Sequence, residues 1–186
     1  MATNGYNSIT GASTVIYATI HDIFGNETES VRQTLQANLA KFAARTAEVS
    51  GGTMKASDLE HLFQAQFDLI FERNTPVAEV VAKPGGGNVI ATEYWSLLPF
   101  ARGNVHISSA KPLSMPTIDP NYFIFDYDLK IQIAIARFIR SVLASEPANS
   151  LVASESTPGF STVPVNASDE EWTNWFFDGH CGFPPD

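Results

Sequence analysis

LLPFARGNVHISSAKPLSMPTIDPNYF, residues 97–123, is the stretch that constrains the fold of this chain most. Val105 and Ile107 alternate with polar residues, which predicts a half-buried strand over residues 104–109. Arg102-Gly103-Asn104 precedes it and predicts a turn in which the glycine supplies a positive φ. Three prolines then predict an extended, ordered loop over residues 111–121, because proline fixes φ and removes a hydrogen-bond donor; they are Pro112, Pro116 and Pro120.

Further strands are predicted upstream of this stretch. The runs 77–82 and 88–95 are rich in β-branched and aromatic residues, and antiparallel pairing is expected among the strands up to residue 109. The turn 83–87 between them, Lys-Pro-Gly-Gly-Gly, lacks the glycine spacing of a phosphate-binding loop and predicts a hairpin. The run 14–20 is β-branched, so its propensity favours a strand, although it also fits the start of a helix.

Four helices are predicted from apolar spacing of three and four residues. They cover about residues 27–48, 58–73 and 126–144, with a short final helix capped by Ser168 and Glu171. Ser57-Asp58 is the expected cap of the second helix. The expected fold class is therefore α+β, an antiparallel sheet backed by helices in a single domain over residues 1–186.

Composition limits the possible functions. The chain has 186 residues, 44% hydrophobic and 17% charged, which is typical of a folded domain rather than a disordered one. Its net charge of −9 argues against nucleic acid and anionic membrane surfaces as partners. The single cysteine, Cys181, cannot form an intrachain disulfide, and residues 1–14 do not have the pattern of a signal peptide. Two N-glycosylation triplets occur, at Asn26 and Asn166.

The segment RGNVHISSAKPLSMPTIDPNYF, residues 102–123, closely resembles the stretch that follows the Leu-Pro-Phe strand in glucose–methanol–choline (GMC) flavin oxidoreductases, especially the glucose-oxidase-like and aryl-alcohol-oxidase-like members. The resemblance extends over about residues 13–175. It implies that the chain has the substrate-binding, or cap, fold of these enzymes. The full-length relatives oxidise CH–OH groups of small alcohols or sugars by hydride transfer to FAD. For residues 14–20 the resemblance favours a helix.

The resemblance also implies a set of site residues. Glu79 falls on a glutamate that hydrogen-bonds a catalytic histidine, and Trp95 falls on a pocket tryptophan. Val81 replaces an aromatic pocket residue, which argues against glucose as the substrate, and Glu93 falls on an acidic position at the pocket mouth. From its own surroundings, a glutamate flanked by valines is either solvent-exposed or paired in the interior, and exposure is the expectation for Glu79.

Other candidate residues have simpler interpretations. Arg102 is either a substrate-anion ligand or, as we expect, a turn residue paired with a nearby carboxylate. His21, His61 and His106 lack partners at metal-ligand spacing, so no metal site is expected. His180 follows the final helix as the base histidine of the family does, but the spacing is several residues short and no Val-Gly-Thr follows.

The sequence contains no G-x-G-x-x-G turn between a strand and a helix, so no FAD is expected to bind this chain alone. The tail is expected to diverge from the family after about residue 176, through truncation, a frameshift or a missed splice. Three interpretations follow: a fragment of a GMC oxidoreductase that is inactive alone, a non-catalytic remnant or binding module that retains the cap fold, or a gene-model fragment that does not fold by itself. Self-association through an exposed docking surface is expected, and the resemblance favours an extracellular location.

Overall fold

The computed structural model describes residues 13–85 and 89–180, without the side chains of residues 179 and 180. The predicted flexible start, the glycines at 86 and 87 and Cys181 lie outside these residues. The chain forms two compact units, residues 1–128 and 129–186, and each is described by itself.

The first unit contains a three-stranded antiparallel sheet in the order β1-β2-β3, formed by Thr14–Ala18, Ala78–Pro84 and Ile90–Ser96. The β-branched run therefore starts as a strand, as its propensity predicts. It ends because the Thr19 hydroxyl accepts the Asp22 N–H and the Asp22 carboxylate accepts the Thr19 N–H, the two bonds of a capping box. That box begins helix α1, Ile20–Phe24, and holds the pKa of Asp22 below its ordinary value.

Two long helices supply most of the core of this unit. Helix α2 runs from Thr28 to Val49 and buries all five of its predicted apolar residues, Val31, Leu35, Leu39, Phe42 and Ala43. Helix α3 runs from Ala56 to Phe71 and buries Leu59, Phe63, Phe67 and Ile70. The predicted cap of α3 was wrong: its N-cap is Lys55, which makes no side-chain cap bond, and Ser57 and Asp58 lie within the first turn.

The sheet has one buried and one solvent-facing side. Ala18, Ala78 and Val80 alternate along their strands and are at most 2% exposed, so they face the core. Tyr17, Val15 and Trp95 lie at the alternate positions and are 40% exposed or more. The outer side of this sheet is therefore apolar and aromatic without being covered by another element of the described chain.

The prediction for residues 104–121 was wrong in three respects. Strand β4, Asn104–His106, pairs with β5, Thr117–Asp119, in a separate two-stranded ribbon rather than with β3. The loop expected over 111–121 therefore contains a strand, because Pro112, Pro116 and Pro120 flank the paired residues without interrupting them. Val105 and Ile107 were expected to be half-buried but are 65% and 88% exposed, since no second layer from the described residues packs on them.

Gly103 is required at the base of this ribbon, though not for a positive φ as predicted. A Cβ atom at this position would lie 2.6 Å from the Asp119 carbonyl oxygen and 2.7 Å from the Pro120 Cα. The Asn121 side-chain amide donates to the Arg102 carbonyl at 3.1 Å and holds the two segments together. The motif Arg-Gly…Asp-Pro-Asn is thus explained by a backbone crossing that has room only for hydrogen.

A buried carboxylate fixes the segment between β3 and the ribbon. Asp128 is 3% exposed and accepts the backbone N–H groups of Phe100 and Ala101, both at 2.7 Å. Beside it, the Arg102 guanidinium donates to the carbonyl oxygens of Pro99 and Ala101 and to the Gln66 side chain. The Gln66 amide in turn donates to the carbonyl oxygens of Leu98 and Pro99. Three side chains therefore form hydrogen bonds with five backbone groups of residues 98–101.

Helix α4, Asp126–Ala144, has the predicted bounds.

In the second unit the Arg140 guanidinium pairs in bidentate fashion with Glu155, at 2.8 and 2.6 Å, and lies 4.5 Å from the centre of the Trp172 ring. Helix α5, Asp169–Trp175, begins with the predicted capping box of Ser168 and Glu171, and a π-helical turn follows over Phe176–His180. Within the described residues, no helix is long and apolar enough to span a membrane.

Gly103→Ala should destabilise the chain by about 1–3 kcal/mol, because the added methyl group meets backbone atoms that cannot rotate away. Urea unfolding followed by circular dichroism measures the difference. His106→Ala, an exposed position in the same ribbon, is the control and should change the free energy of unfolding by less than about 0.5 kcal/mol. Equal stability of Gly103→Ala and the wild type would contradict the close approach.

Asp128→Asn should also destabilise the chain by about 1–3 kcal/mol. The two backbone N–H groups bond to different carboxylate oxygens, and in asparagine one of these becomes an NH₂ group that cannot accept. Asp126→Asn is the matched control, because Asp126 is an exposed aspartate at the start of the same helix.

The same pair of variants has an expected pH dependence. Burial raises the pKa of Asp128, against the opposing effect of its backbone donors and of Arg102. The folded state then binds this proton more tightly than the unfolded state, whose pKa is about 3.9. Stability falls as pH rises from about 3.9 to the raised pKa. The advantage of the wild type over Asp128→Asn should therefore shrink across this window, and an advantage that grows would contradict the assignment.

Candidate functional site

The four residues singled out from the sequence lie together on the outer side of the three-stranded sheet. Glu79 of β2 pairs with Trp95 of β3, and Val81 pairs with Glu93. Directly opposed residues in an antiparallel ladder point to the same side, as do residues two apart along a strand. The register therefore brings Glu79, Val81, Glu93 and Trp95 onto one surface.

Strand β1 extends this surface by a third residue in each row. Tyr17 pairs with Glu79 and Val15 pairs with Val81, so one row is Tyr17–Glu79–Trp95 and the next is Val15–Val81–Glu93. Neighbouring strands are about 5 Å apart, which places the backbones of Tyr17 and Trp95 about 10 Å apart with Glu79 between them. We call this surface of six residues the outer sheet face.

Glu79 is the chemically most capable group of the outer sheet face. It is half-buried, and the Tyr17 hydroxyl donates to its Oε1 at 3.4 Å. An ionised carboxylate has about four acceptor sites, so this single long bond leaves capacity for another donor. Glu79 is thus half-buried and forms no ion pair with a described residue, and it can accept a hydrogen bond from a hydroxyl or an imidazole N–H presented to the sheet.

Glu93 has a different environment because it forms an ion pair with Lys83 on the neighbouring strand. Both side chains are more than one third exposed, and such pairs contribute little to stability. The pair neutralises one of the two carboxylates of the outer sheet face. The remaining acidic character is therefore concentrated at Glu79, between the two aromatic rings.

The aromatic partner on β1 was missed from the sequence alone. Tyr17 lies in the run 14–20, which fitted both a strand and a helix. The direction of the Tyr17 side chain could not be predicted without knowing which of these two structures the run adopts. The signal was the period-two alternation of Val15 and Tyr17 with Ile16 and Ala18, which becomes informative only once the run is known to pair with β2.

The other candidates lie away from the outer sheet face. Arg102 has the expected structural role, although its hydrogen bonds go to carbonyl oxygens and Gln66 rather than directly to a carboxylate, and it lies 5.3 Å from the Phe63 ring. Burial lowers the pKa of Arg102, and the nearby Asp128 opposes that change. His106 is exposed on the ribbon, and the described residues contain no cluster that could hold a metal ion. The side chain of His180 is outside the described part of the chain.

The described residues do not fit a dinucleotide. Pyrophosphate is held where a parallel strand leads through a Gly-rich turn into a helix N-terminus. All strand pairs in the described chain are antiparallel, and neither long helix of the first unit follows directly on a strand. The chemistry that the outer sheet face offers is therefore the binding and orientation of a ligand, with Glu79 as a hydrogen-bond acceptor.

Comparison with known proteins identifies the family. A profile described as GMC oxidoreductase matches residues 99–180. A glucose oxidase-like protein from Humicola fuscoatra is 38% identical over 157 residues, which are 84% of this chain and 26% of that protein. A glucose oxidase from Aspergillus carbonarius is 28% identical over 160 residues, covering 86% of this chain and 26% of the relative. The chain thus spans about a quarter of the length of these relatives.

Solved structures show the same fold. A fungal aryl-alcohol oxidase superposes with a TM-score of 0.67 at 20% identity, over 87% of this chain and 26% of that one. An FAD-dependent oxidoreductase from Chaetomium thermophilum gives 0.63 at 22% identity, over 86% and 26% of the two chains. The α+β fold class is confirmed. The matched profile and the 38% identical relative support the assignment of this chain to a C-terminal portion of the GMC oxidoreductase family.

Proposed function

We propose that this chain forms the substrate side of an FAD-dependent GMC oxidoreductase that acts on CH–OH groups of small alcohols or sugars. The observation that supports this most is the row Tyr17–Glu79–Trp95, which places a carboxylate with spare acceptor capacity between two exposed aromatic rings. When bound in the full-length enzyme, FAD accepts the hydride. The role of the outer sheet face is to hold the carbon that loses it.

Each residue of the row has a role in this proposal. Trp95 offers an exposed ring against which the apolar side of the substrate packs. Glu79 accepts a hydrogen bond either from a substrate hydroxyl or from a base histidine contributed by another segment, and Tyr17 orients the Glu79 carboxylate. Val81 and Glu93 border the same surface; the small Val81 side chain leaves space where the relatives that it resembles have an aromatic ring.

A second function is favoured by the same row. An aromatic–carboxylate–aromatic surface also suits a non-catalytic module that binds a sugar ring through stacking and hydroxyl hydrogen bonds. In this alternative the chain retains the cap fold and needs no flavin. The two functions differ in whether the chain acts together with FAD.

The ribbon supplies a further proposal about partners. Its apolar side chains are more than half exposed, and they are Val105, Ile107, Leu113, Met115, Ile118 and Tyr122. Exposed apolar patches of this kind mark interaction surfaces. We propose that the ribbon is covered by the remaining three quarters of a GMC oxidoreductase, and that the chain by itself associates with its own copies there. The net charge of −9 disfavours nucleic acid and anionic membrane surfaces as partners.

Titration of the purified chain with FAD tests the first proposal. We expect no change in flavin fluorescence and no turnover of primary alcohols or glucose, because the described residues provide no site for the pyrophosphate. Binding at micromolar FAD would contradict this expectation. Quenching of Trp95 fluorescence by a sugar without FAD, absent in Trp95→Phe, would favour the binding module.

Grafting residues 13–175 into the Humicola fuscoatra relative in place of its matching segment tests the role of Glu79. In this chimera Glu79→Gln should lower kcat/KM for alcohol oxidation by at least about 100-fold, since the amide is a poorer acceptor and cannot stabilise a protonated base. Flavin content and melting temperature should be unchanged.

Glu93→Gln is the matched control for that experiment. It removes a carboxylate from the same surface, but one already paired with Lys83, so its effect on kcat/KM should be less than about threefold. Similar losses in the two variants would indicate a general effect of surface charge and would contradict the proposed role of Glu79.

A further inference from the structure

A turn between the first two helices presents an asparagine in a glycosylation triplet. Asn26-Glu27-Thr28 satisfies the pattern Asn-X-Thr without proline. Asn26 lies in the 3₁₀ turn Gly25–Glu27 and is exposed. The turn is closed by the Thr28 hydroxyl, which donates to the Gly25 carbonyl at 2.8 Å, and Gly25 has a φ of 51°. This geometry projects the Asn26 side chain into solvent.

An open groove of about 440 Å³ lies beside Asn26 and gives the site a second feature. Its walls include His21, Glu29, Arg32, Phe71 and Glu72. Arg32 is held by Glu72 at 2.8 Å, so polar donors and acceptors border the half-buried ring of Phe71. A hexosamine has hydroxyl and amide groups at its edge and an apolar ring face, so its chemistry matches that of this groove.

The second triplet, Asn166-Ala167-Ser168, does not lie beside this groove. Ala167 is buried, and its carbonyl accepts the Arg137 guanidinium at 2.8 Å. Ser168 takes part in the capping box of α5, just as the Thr28 hydroxyl takes part in its own turn, so the hydroxyl residue does not distinguish the two triplets. Asn166 is exposed, but it does not line the groove. The two triplets therefore differ in what an attached sugar would meet.

We propose that Asn26 is an N-glycan acceptor and that the first sugar of the glycan packs in the adjacent groove against Phe71. In the transfer, Asn26 Nδ2 forms a bond to the anomeric carbon of a lipid-diphosphate-linked oligosaccharide. The bond from that carbon to the diphosphate oxygen breaks, the lipid diphosphate leaves with the electron pair, and Nδ2 gives up one proton to the transferase. This inference is independent of the proposed oxidoreductase function.

The test uses the full chain, secreted from yeast behind a cleavable leader, in an Asn166→Gln background that leaves one triplet. Intact mass before and after peptide N-glycosidase measures the glycan, and peptide mapping locates the aspartate that the enzyme leaves. We expect modification at Asn26, loss of it in Asn26→Gln, and retention in Thr28→Ser, which preserves both the triplet and a hydroxyl for the Gly25 carbonyl. An unmodified Asn26 peptide in the secreted chain would overturn the proposal.

The position of the sugar is tested by trimming. An endoglycosidase that leaves one N-acetylglucosamine should preserve a gain in Tm of about 2 °C over the fully deglycosylated chain. Phe71→Leu keeps an apolar side chain but removes the ring, and it should abolish that gain without changing the fraction of Asn26 modified. Equal Tm values of the trimmed and deglycosylated wild-type chains would overturn packing of the sugar in the groove.

Discussion

The first unit depends on one buried carboxylate that satisfies an otherwise unpaired turn. Residues 98–101 leave β3 without a strand partner, and their backbone groups are held by Asp128, Arg102 and Gln66. A buried N–H group without a hydrogen-bond acceptor costs about 1–3 kcal/mol. The two hydrogen bonds that Asp128 accepts therefore contribute a substantial part of the free energy of unfolding of a small unit. This turn follows directly on β3, the strand whose register places Trp95 opposite Glu79.

The outer sheet face shows how a site arises from strand register rather than from proximity in sequence. Tyr17 and Glu79 are 62 residues apart, yet they lie side by side because β1 pairs with the central strand. The same strand pairing gives the two carboxylates of this face different partners. Glu93 is paired with Lys83, while Glu79 retains acceptor capacity between two aromatic rings. In the proposed function this difference decides which carboxylate meets the reacting group.

The ribbon and the outer sheet face have the same relationship to solvent, and the implication is the same for both. Both expose apolar side chains that a folded chain ordinarily buries, such as Ile107 at 88% and Tyr17 at 59%. In the proposed function, both surfaces are covered by the rest of a GMC oxidoreductase, and the chain spans about a quarter of the length of its relatives. The Asn26 turn lies on a different part of the first unit, at the junction of α1 and α2, and is a separate feature of the surface.

The sequence by itself determined the helices, the strand runs and the family. Apolar spacing located α4 to the residue, and the Arg-Gly…Asp-Pro-Asn motif identified the GMC relationship, because both are local patterns. Glu79, Val81, Glu93 and Trp95 were named from resemblance, but their sharing of one surface follows only from the register. The pairing of the ribbon and the exposure of its side chains were decided only by the tertiary structure. The alternation of Val105 and Ile107 predicts a strand, but it does not show whether a second layer covers that strand. The role of Tyr17 and of Gly103 was decided there as well, because pairing and close approach are contacts between distant parts of the chain.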